Sequence, residues 1–476
     1  MTKNLTITIC AIAALGSGAV YAQSLDYTVF EQLFGEPVTT SVTGSPQRAG
    51  DVPASMEIIS AEDIRRSGAR DLPGILRHVA GVDVLQTTND HADVSVRGYN
   101  QAFAPRLLVL VDGRQVYADY YGFTPWSTIP VELEAIRQIE VVRGPNSALF
   151  GFNAVGGVIN IITYDPINDT VSSVSVTAGT QDLIQASAVS SWRVGDNAGL
   201  RVSVGRRSDD EFSTPQQPLD VGTRRGNERN AVNLDGGLRV TDSVQIDLEA
   251  TYSSVDQVEL GPAYWQNYTL YETKSIKGHV AADTSLGLLQ GTVYTNWITA
   301  AAFPGVATTA LVNLDNRVTV AQFQSLTKIA TNHTLRLSAE YRDNTFETTP
   351  QAGADVFYEV SSVGSMWEWN IKPAVTLTNA VRIDHLALGR SGLVPPGYPL
   401  ANADWDRSLA ETSFNSGVVW QVRTGDTLRF TAARGVQLPS LFNLGGFLFP
   451  IPPFGFVTGV PTLAPTIVTN YEVTWD

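Results

Sequence analysis

At 476 residues, 43% of them hydrophobic and 17% charged, the chain is too long for one ordinary domain and too apolar for a disordered one. Asp and Glu total 47 against 32 Lys and Arg, for a net charge of −15, and the basic residues are scattered among acids. That balance argues against a nucleic-acid partner, whose phosphates require clustered cations.

Residues 1–22 read as a secretory signal peptide. Lys3 supplies the charge, Leu5 to Val20 the apolar run, and Val20-Tyr21-Ala22 the small-residue end before a cut at Gln23. The only cysteine, Cys10, lies within it, so the mature chain has neither a disulfide frame nor thiol chemistry. No later apolar stretch reaches about eighteen residues, so any membrane crossing must be made by strands.

Residues 23–49 have little apolar periodicity, and Gly35-Glu36-Pro37 and Gly44-Ser45-Pro46 break them up. Between these breaks, Pro37, Val38, Thr39, Thr40, Ser41, Val42 and Thr43 form an extended Thr- and Val-rich segment. Such a segment suits pairing as an added strand, in which main-chain bonds supply the affinity.

A small α+β domain is expected over residues 50–165. Met56 to Ile59 is a short strand, and Ser60 is placed to cap a helix with Glu62 and Asp63 in its first turn. A second helix, about Asp71 to Val79, puts Leu72, Ile75, Leu76 and Val79 on one face. Val82–Val84, Val94–Val96 and Leu107–Val111 follow as strands, the last closed by Asp112-Gly113 into a hairpin with Arg114 to Tyr117. Pro130 to Ile136 gives a helical turn. Ile139 to Thr163, IEVVRGPNSALFGFNAVGGVINIIT, then reads as two buried strands around a Gly-, Pro- and Asn-rich loop.

After Asp165 the pattern changes to strict alternation. Val244, Ile246, Leu248, Ala250 and Tyr252 alternate with Gln245, Asp247, Glu249 and Thr251; Leu335, Leu337, Ala339 and Tyr341 alternate with Arg336, Ser338, Glu340 and Arg342. Short turns, as at Thr241-Asp242-Ser243, alternate with long connections, as at residues 208–228 and 435–468. About fourteen such strands are visible over residues 166–476, the pattern of a membrane barrel with a wet lumen. Trp192, Tyr252, Tyr294, Trp297, Trp367, Trp369 and Trp420 near strand ends suit an aromatic girdle.

The stretch Ile139 to Thr163 resembles the end of the plug domain of TonB-dependent outer-membrane receptors. The VRG at Val96 to Gly98, LVLVDG at Leu108 to Gly113 and RGP at Arg143 to Pro145 occur in that family's order. The resemblance implies an all-β transmembrane barrel with the α+β plug in its lumen. Barrels of this class close with about twenty-two antiparallel strands, so the chain, ending in the alternating NYEVTW, is expected to be a truncated piece of about fourteen. It also implies a Gram-negative outer-membrane location, a monomer in outer-membrane lipid, and no cofactor, metal or catalytic residue. The partners it implies are TonB, with its inner-membrane energising complex, and a small-molecule ligand such as a ferric siderophore. Cobalamin, an oligosaccharide, or a non-transporting receptor or adhesin role are the alternatives.

Three sets of residues take roles from the resemblance. Residues 37–43 are the candidate TonB box. Arg97 and Arg143 are expected to dock the plug on barrel carboxylates, with Glu472 as one partner and Gln437 standing where the second acid is expected. Tyr99, Gln101, Phe103, Tyr120, Tyr121, Phe123 and Trp126, on loop segments rich in aromatics, are the ligand-contact candidates. Asp209-Asp210-Glu211 reads as a solvated charge cluster or, less well spaced for it, a calcium site. Enzyme motifs such as GxSxG, HExxH and Walker A are missing.

Overall fold

The computed structural model describes residues 38–43, 46–101, 106–212, 226–260, 266–304, 308, 310, 312–349, 354–394, 400–446, 448–451 and 455–476. The signal-peptide reading, together with Pro37 and Phe103, lies outside them. A five-stranded mixed sheet organises the N-terminal region in the order β3 (Ser55–Ser60), β8 (Ile136–Arg143), β9 (Gly157–Thr163), β6 (Leu107–Val111), β7 (Arg114–Gln115), and β4 (Val82–Gln86) pairs with β5 (Ala92–Val96) in a separate two-stranded sheet. Alternation along its strands gives it two faces. Ile139, Val141, Ile159, Ile161, Val109 and Val111 pack beneath two helices, α1 (Ala61–Ser67) and α2 (Leu72–Leu76). Val142, Val158, Leu108 and Leu110 point the other way, against Val42, Val52 and Ala54.

Local chemistry sets the helix ends. The Ser60 side chain accepts from Asp63 N, and Asp63 Oδ2 accepts from Ser60 N at 3.0 Å, a reciprocal capping box. Asp71 caps α2, which ends at Leu76, shorter than the pattern to Val79 predicts: Pro73 and Gly74 leave few intrahelical bonds to propagate. Gly157 has to be glycine, since a Cβ there would lie 2.7 Å from the Val142 carbonyl across the sheet. The loop after Arg143 also holds a short helix, α3 (Ser147–Phe150), where an irregular loop was expected.

The C-terminal region is one fourteen-stranded antiparallel sheet in sequence order. It runs β10 (Ser172–Ala178), β11 (Ile184–Val194), β12 (Ala198–Asp210), β13 (Gly226–Thr241), β14 (Val244–Leu260), β15 (Gln266–Thr284) and β16 (Gly287–Pro304). It continues through β17 (Val312–Ala330), β18 (His333–Thr349), β19 (Ala354–Lys372), β20 (Val375–Gly392), β21 (Arg407–Arg423) and β22 (Asp426–Gln437) to β25 (Thr466–Trp475). The hairpin of β23 (Leu448–Ile451) and β24 (Gly455–Thr458) stands apart within the β22–β25 connection.

Burial along these strands is inverted relative to a water-soluble sheet. On β14, Leu248 is 61% exposed and Glu249 1%; Ile276 and Val293 also face outward, while Lys277 and Asn316 are turned in. An apolar exterior around a polar interior is stable only in lipid, with the backbone bonds satisfied between neighbouring strands. One aromatic departs from the girdle reading. Tyr294 is 2% exposed because its place in the alternation faces the plug, next to Val318 and Val320.

Candidate functional site

The Thr- and Val-rich segment is folded into the plug. Val38 and Thr39 form β1, paired antiparallel with β2 (Gln47–Arg48), and Val42 is fully buried against the second face of the plug sheet. Three polar side chains interrupt that apolar face beneath the segment: Gln138 and Glu140 on β8, and Asn160 on β9, directly opposite Glu140. Thr39 Oγ1 donates to Glu140 Oε2 at 2.9 Å, and Gln138 Nε2 donates to both Glu140 Oε1 at 2.8 Å and the Val38 carbonyl at 2.9 Å. Asn160 Nδ2 donates to Ser41 Oγ at 2.8 Å. Burial pushes the Glu140 carboxyl up to about 7, against opposing hydrogen bonds from Ser41, Thr39 and Gln138.

Plug and barrel meet through charges. Arg97, in the left-handed region at φ 58°, reaches Glu472 with Nη2 at 2.7 Å from both carboxylate oxygens. Arg143 does not join them. Its Nη2 lies 2.5 Å from Glu57 Oε2 and its Nε donates to the Ala80 carbonyl at 2.9 Å, so it ties parts of the plug together. The reason is register: Arg143 stands opposite Ser55 at the end of β8, within reach of Glu57 on the neighbouring strand. Gln437 is buried, and its Oε1 has no hydrogen-bond partner among the described residues. Asn153 holds that end of β22, donating its N–H to the Val436 carbonyl at 2.9 Å and accepting from Leu438 N at 3.1 Å.

Heavier docking lies elsewhere. Arg114, on the plug hairpin, bonds Glu249 of β14 at 2.8 Å, and Lys277 of β15 completes that carboxylate at 3.0 Å. Asp119 accepts from Arg342 at 3.0 Å, Tyr358 at 2.8 Å and Asn153 at 2.9 Å. Glu132 pairs with Arg229 at 2.7 Å, and Asp90 pairs with Arg207. Asp209 and Glu211 are buried rather than solvated: Asn89 of the plug donates to Asp209 Oδ1 at 2.6 Å and, through its backbone, to Glu211 Oε1 at 2.9 Å. Asp112, Asp235 and Glu249 converge to within 4.8 Å of one another. Lys277 and Arg114 on Glu249, and Arg201 on Asp235, supply matching cations.

The ligand-contact candidates divide. Tyr120 is buried and stacked on Phe346, ring centroids 5.4 Å apart; Phe123 is buried between Tyr121 and His91, and Trp126 belongs to the plug core. These three are packing residues here, because the aromatic loop folds back on the plug and barrel wall. Tyr121 is half-buried against Phe442, whereas Tyr99 and Gln101 are exposed beside Arg106. A cavity of about 430 Å³ opens instead between the plug and strands β13–β18, bordered by Thr40, Ser41, Asn160, Lys277, Tyr294 and Arg336.

A family model described as the TonB-dependent receptor plug domain matches residues 48–158, and one described as the TonB dependent receptor-like β-barrel matches residues 163–476. The chain belongs to the TonB-dependent receptor family. Its place is therefore the Gram-negative outer membrane, and its family consists of transporter receptors, not enzymes. Among curated relatives, the vitamin B12 transporter BtuB of Vibrio cholerae is 32% identical over 194 residues, 40% of this chain and 31% of the transporter. The iron-regulated outer membrane virulence protein of V. cholerae is 38% identical over 135 residues, 27% of this chain and 20% of that protein. The matched stretches thus span less than a third of these relatives. Two solved structures share the fold. The alcaligin outer membrane receptor FauA from Bordetella pertussis has a TM-score of 0.68 at 13% identity, covering 92% of this chain and 70% of that one. The siderophore receptor PiuA from Acinetobacter baumannii has a TM-score of 0.69 at 15% identity, covering 90% and 70%.

Sequence reasoning missed most of the receptor's plug contacts. Arg114, Asp119, Glu132 and Asp90 belong to no named motif. The signal that could have found them is on the barrel side, where single charges such as Glu249, Arg229 and Arg342 recur at lumen-facing positions and call for partners inside.

Proposed function

We propose that this receptor imports a scarce solute, in the first place a ferric siderophore, across the outer membrane, energised by TonB and its inner-membrane complex. The observation that carries this reading is the way residues 38–43 are held: Val38 and Thr39 as a two-residue paired strand on the plug, continued by a turn at 41–43, with residues 38–41 over polar groups that water can replace. Exchanging that short ladder for one with TonB trades main-chain bonds for main-chain bonds, so capture requires little net energy. Pulling the segment removes Thr40 and Ser41 from the border of the cavity beside β13–β18 and widens a passage there. Arg97 with Glu472, and the buried pairs around Glu249 and Asp119, keep the plug seated meanwhile.

The similarity to siderophore receptors and to an iron-regulated outer-membrane protein supports iron as the cargo. Cobalamin is the second reading, favoured by the 32% identity to vitamin B12 transporters. Uptake of radioiron-loaded siderophores and of radiolabelled cobalamin is measured in cells producing the full-length receptor, the same receptor lacking residues 37–43, and in cells lacking TonB. Iron uptake lost in both controls is the expected result. Cobalamin uptake with the same dependence selects the second reading, and uptake of either that survives box deletion overturns the role of residues 37–43. No uptake of either leaves an oligosaccharide as cargo, or a receptor or adhesin without transport.

A further inference from the structure

A carboxylate in the middle of a plug strand needs a physical reason. Glu140 is fully buried, one rung from Val142 on a sheet face that is apolar apart from Glu140, Gln138 and Asn160, and its strand neighbours Ile139 and Val141 point into the opposite core. An apolar side chain there would bury the overlying segment firmly and leave a greasy face behind whenever the segment left. Glu140, Gln138 and Asn160 hold it by hydrogen bonds instead. Each of these bonds goes to residues 38–41: Glu140 to Thr39, Gln138 to the Val38 carbonyl, Asn160 to Ser41. A second tether comes from the barrel, where Arg336 Nη1 lies 3.5 Å from the Val42 carbonyl.

The geometry points to Glu140 as the positioning residue that holds the candidate TonB box on the plug and sets how readily it is released, with Gln138 as its aligning partner. It rests on the reading of residues 37–43 as the box. With the segment docked, Glu140 receives the Thr39 hydroxyl and the Gln138 amide, and Gln138 in turn pins the Val38 carbonyl. With the segment gone, the same three side chains lose its cover and are hydrated, Asn160 already bordering the neighbouring cavity. Release therefore exchanges protein bonds for water bonds instead of exposing hydrocarbon, which keeps docking reversible. Glu140 touches the segment through Thr39 and braces Gln138 on the Val38 carbonyl, so it dominates the balance.

The only cysteine, Cys10, lies in the expected signal peptide, so a nitroxide on Thr40→Cys reports the segment and one on Arg66→Cys, exposed on α1, reports the plug body. Both are read in the full-length receptor, alone and with Glu140→Ala or Glu140→Gln. The expected result is a Thr40→Cys label immobile in the parent, with a mobile fraction rising about tenfold in Glu140→Ala, as follows from losing one buried hydrogen bond. Glu140→Gln, which keeps an acceptor oxygen, restores most of the immobility, and the Arg66→Cys signal stays constant. A label already mobile in the parent, or still immobile in Glu140→Ala, overturns the assignment. Should Glu140→Ala also loosen the Arg66→Cys label, Thr39→Val decides, since it removes the bond without touching the sheet: a mobile segment supports the role and an immobile one refutes it. Capture of the same variants by the purified periplasmic domain of TonB separates the two readings. A segment freed in Glu140→Ala but not captured leaves Glu140 as its anchor and removes the box reading alone.

Discussion

At the scale of single residues, the ion pairs between plug and barrel are not equivalent, and burial decides which one matters. Arg97 and Glu472 keep 30% and 20% of their side-chain surface exposed, so solvent screens much of their attraction. Arg114 and Glu249 keep 3% and 0%. Removing one member of a buried set leaves its partners as uncompensated charges, at a cost of about 3–5 kcal/mol, whereas an exposed pair is worth about 1 kcal/mol or less. Glu249→Ala is thus expected to lower the denaturant midpoint of the plug well below that of Glu472→Ala, with Arg114 and Lys277 both left unpaired. Equal shifts for the two variants in urea titrations followed by plug fluorescence would remove burial as the deciding factor. Arg97 and Glu472 were legible in sequence because they sit in recurring motifs. Arg143 was legible as a motif arginine but not in its partner, because Glu57 comes within reach only when β3 pairs with β8.

At the scale of elements, β1 couples to the protonation of Glu140. Its carboxyl is raised from the ordinary 4.5 to about 7 by burial, and the side chains opposing that shift, Ser41, Thr39 and Gln138, are neutral. A group whose docked pKa exceeds its free value binds its proton more tightly when docked. Its contribution is complete below about pH 4.5 and is lost as pH rises through about 7, roughly 3 kcal/mol at most by linkage. The mobile fraction at Thr40→Cys is therefore expected to grow between pH 5 and pH 8, and to become flat with pH in Glu140→Gln. A parent profile that is already flat would show that the carboxyl does not titrate with release. The strand character of residues 38–39 could be read from their Thr- and Val-rich composition. Their burial could not, because it depends on which face of a distant sheet they cover.

At the scale of the whole molecule, the inside-out distribution of polarity is the governing fact. Leu248 and Glu249 are neighbours in sequence with opposite surroundings, one facing lipid and the other the plug. Leu248→Arg is expected to cost about 2–4 kcal/mol in folding into phospholipid vesicles, the penalty for a cation near mid-bilayer on a barrel's outer face. Thr251→Arg, on the lumen side of the same strand, is expected to leave insertion intact and to disturb plug seating only. Similar losses for both in vesicle-folding titrations would contradict the assignment of the outer face.

Alternation with period two, turn residues at short and long intervals, and the order of the plug motifs were written in the chain itself. They determined the strand count, the barrel class and the presence of a plug, because each depends on neighbours within a few residues. Which charges meet was decided only by the tertiary structure. Arg114 finds Glu249 and Asp119 finds Arg342 across more than a hundred residues, Tyr120, Phe123 and Trp126 turn from exposed apices into packing, and Glu140 comes to lie under residues 38–41. Those outcomes follow from how the plug is seated in the lumen, a property of two surfaces meeting that no local pattern encodes.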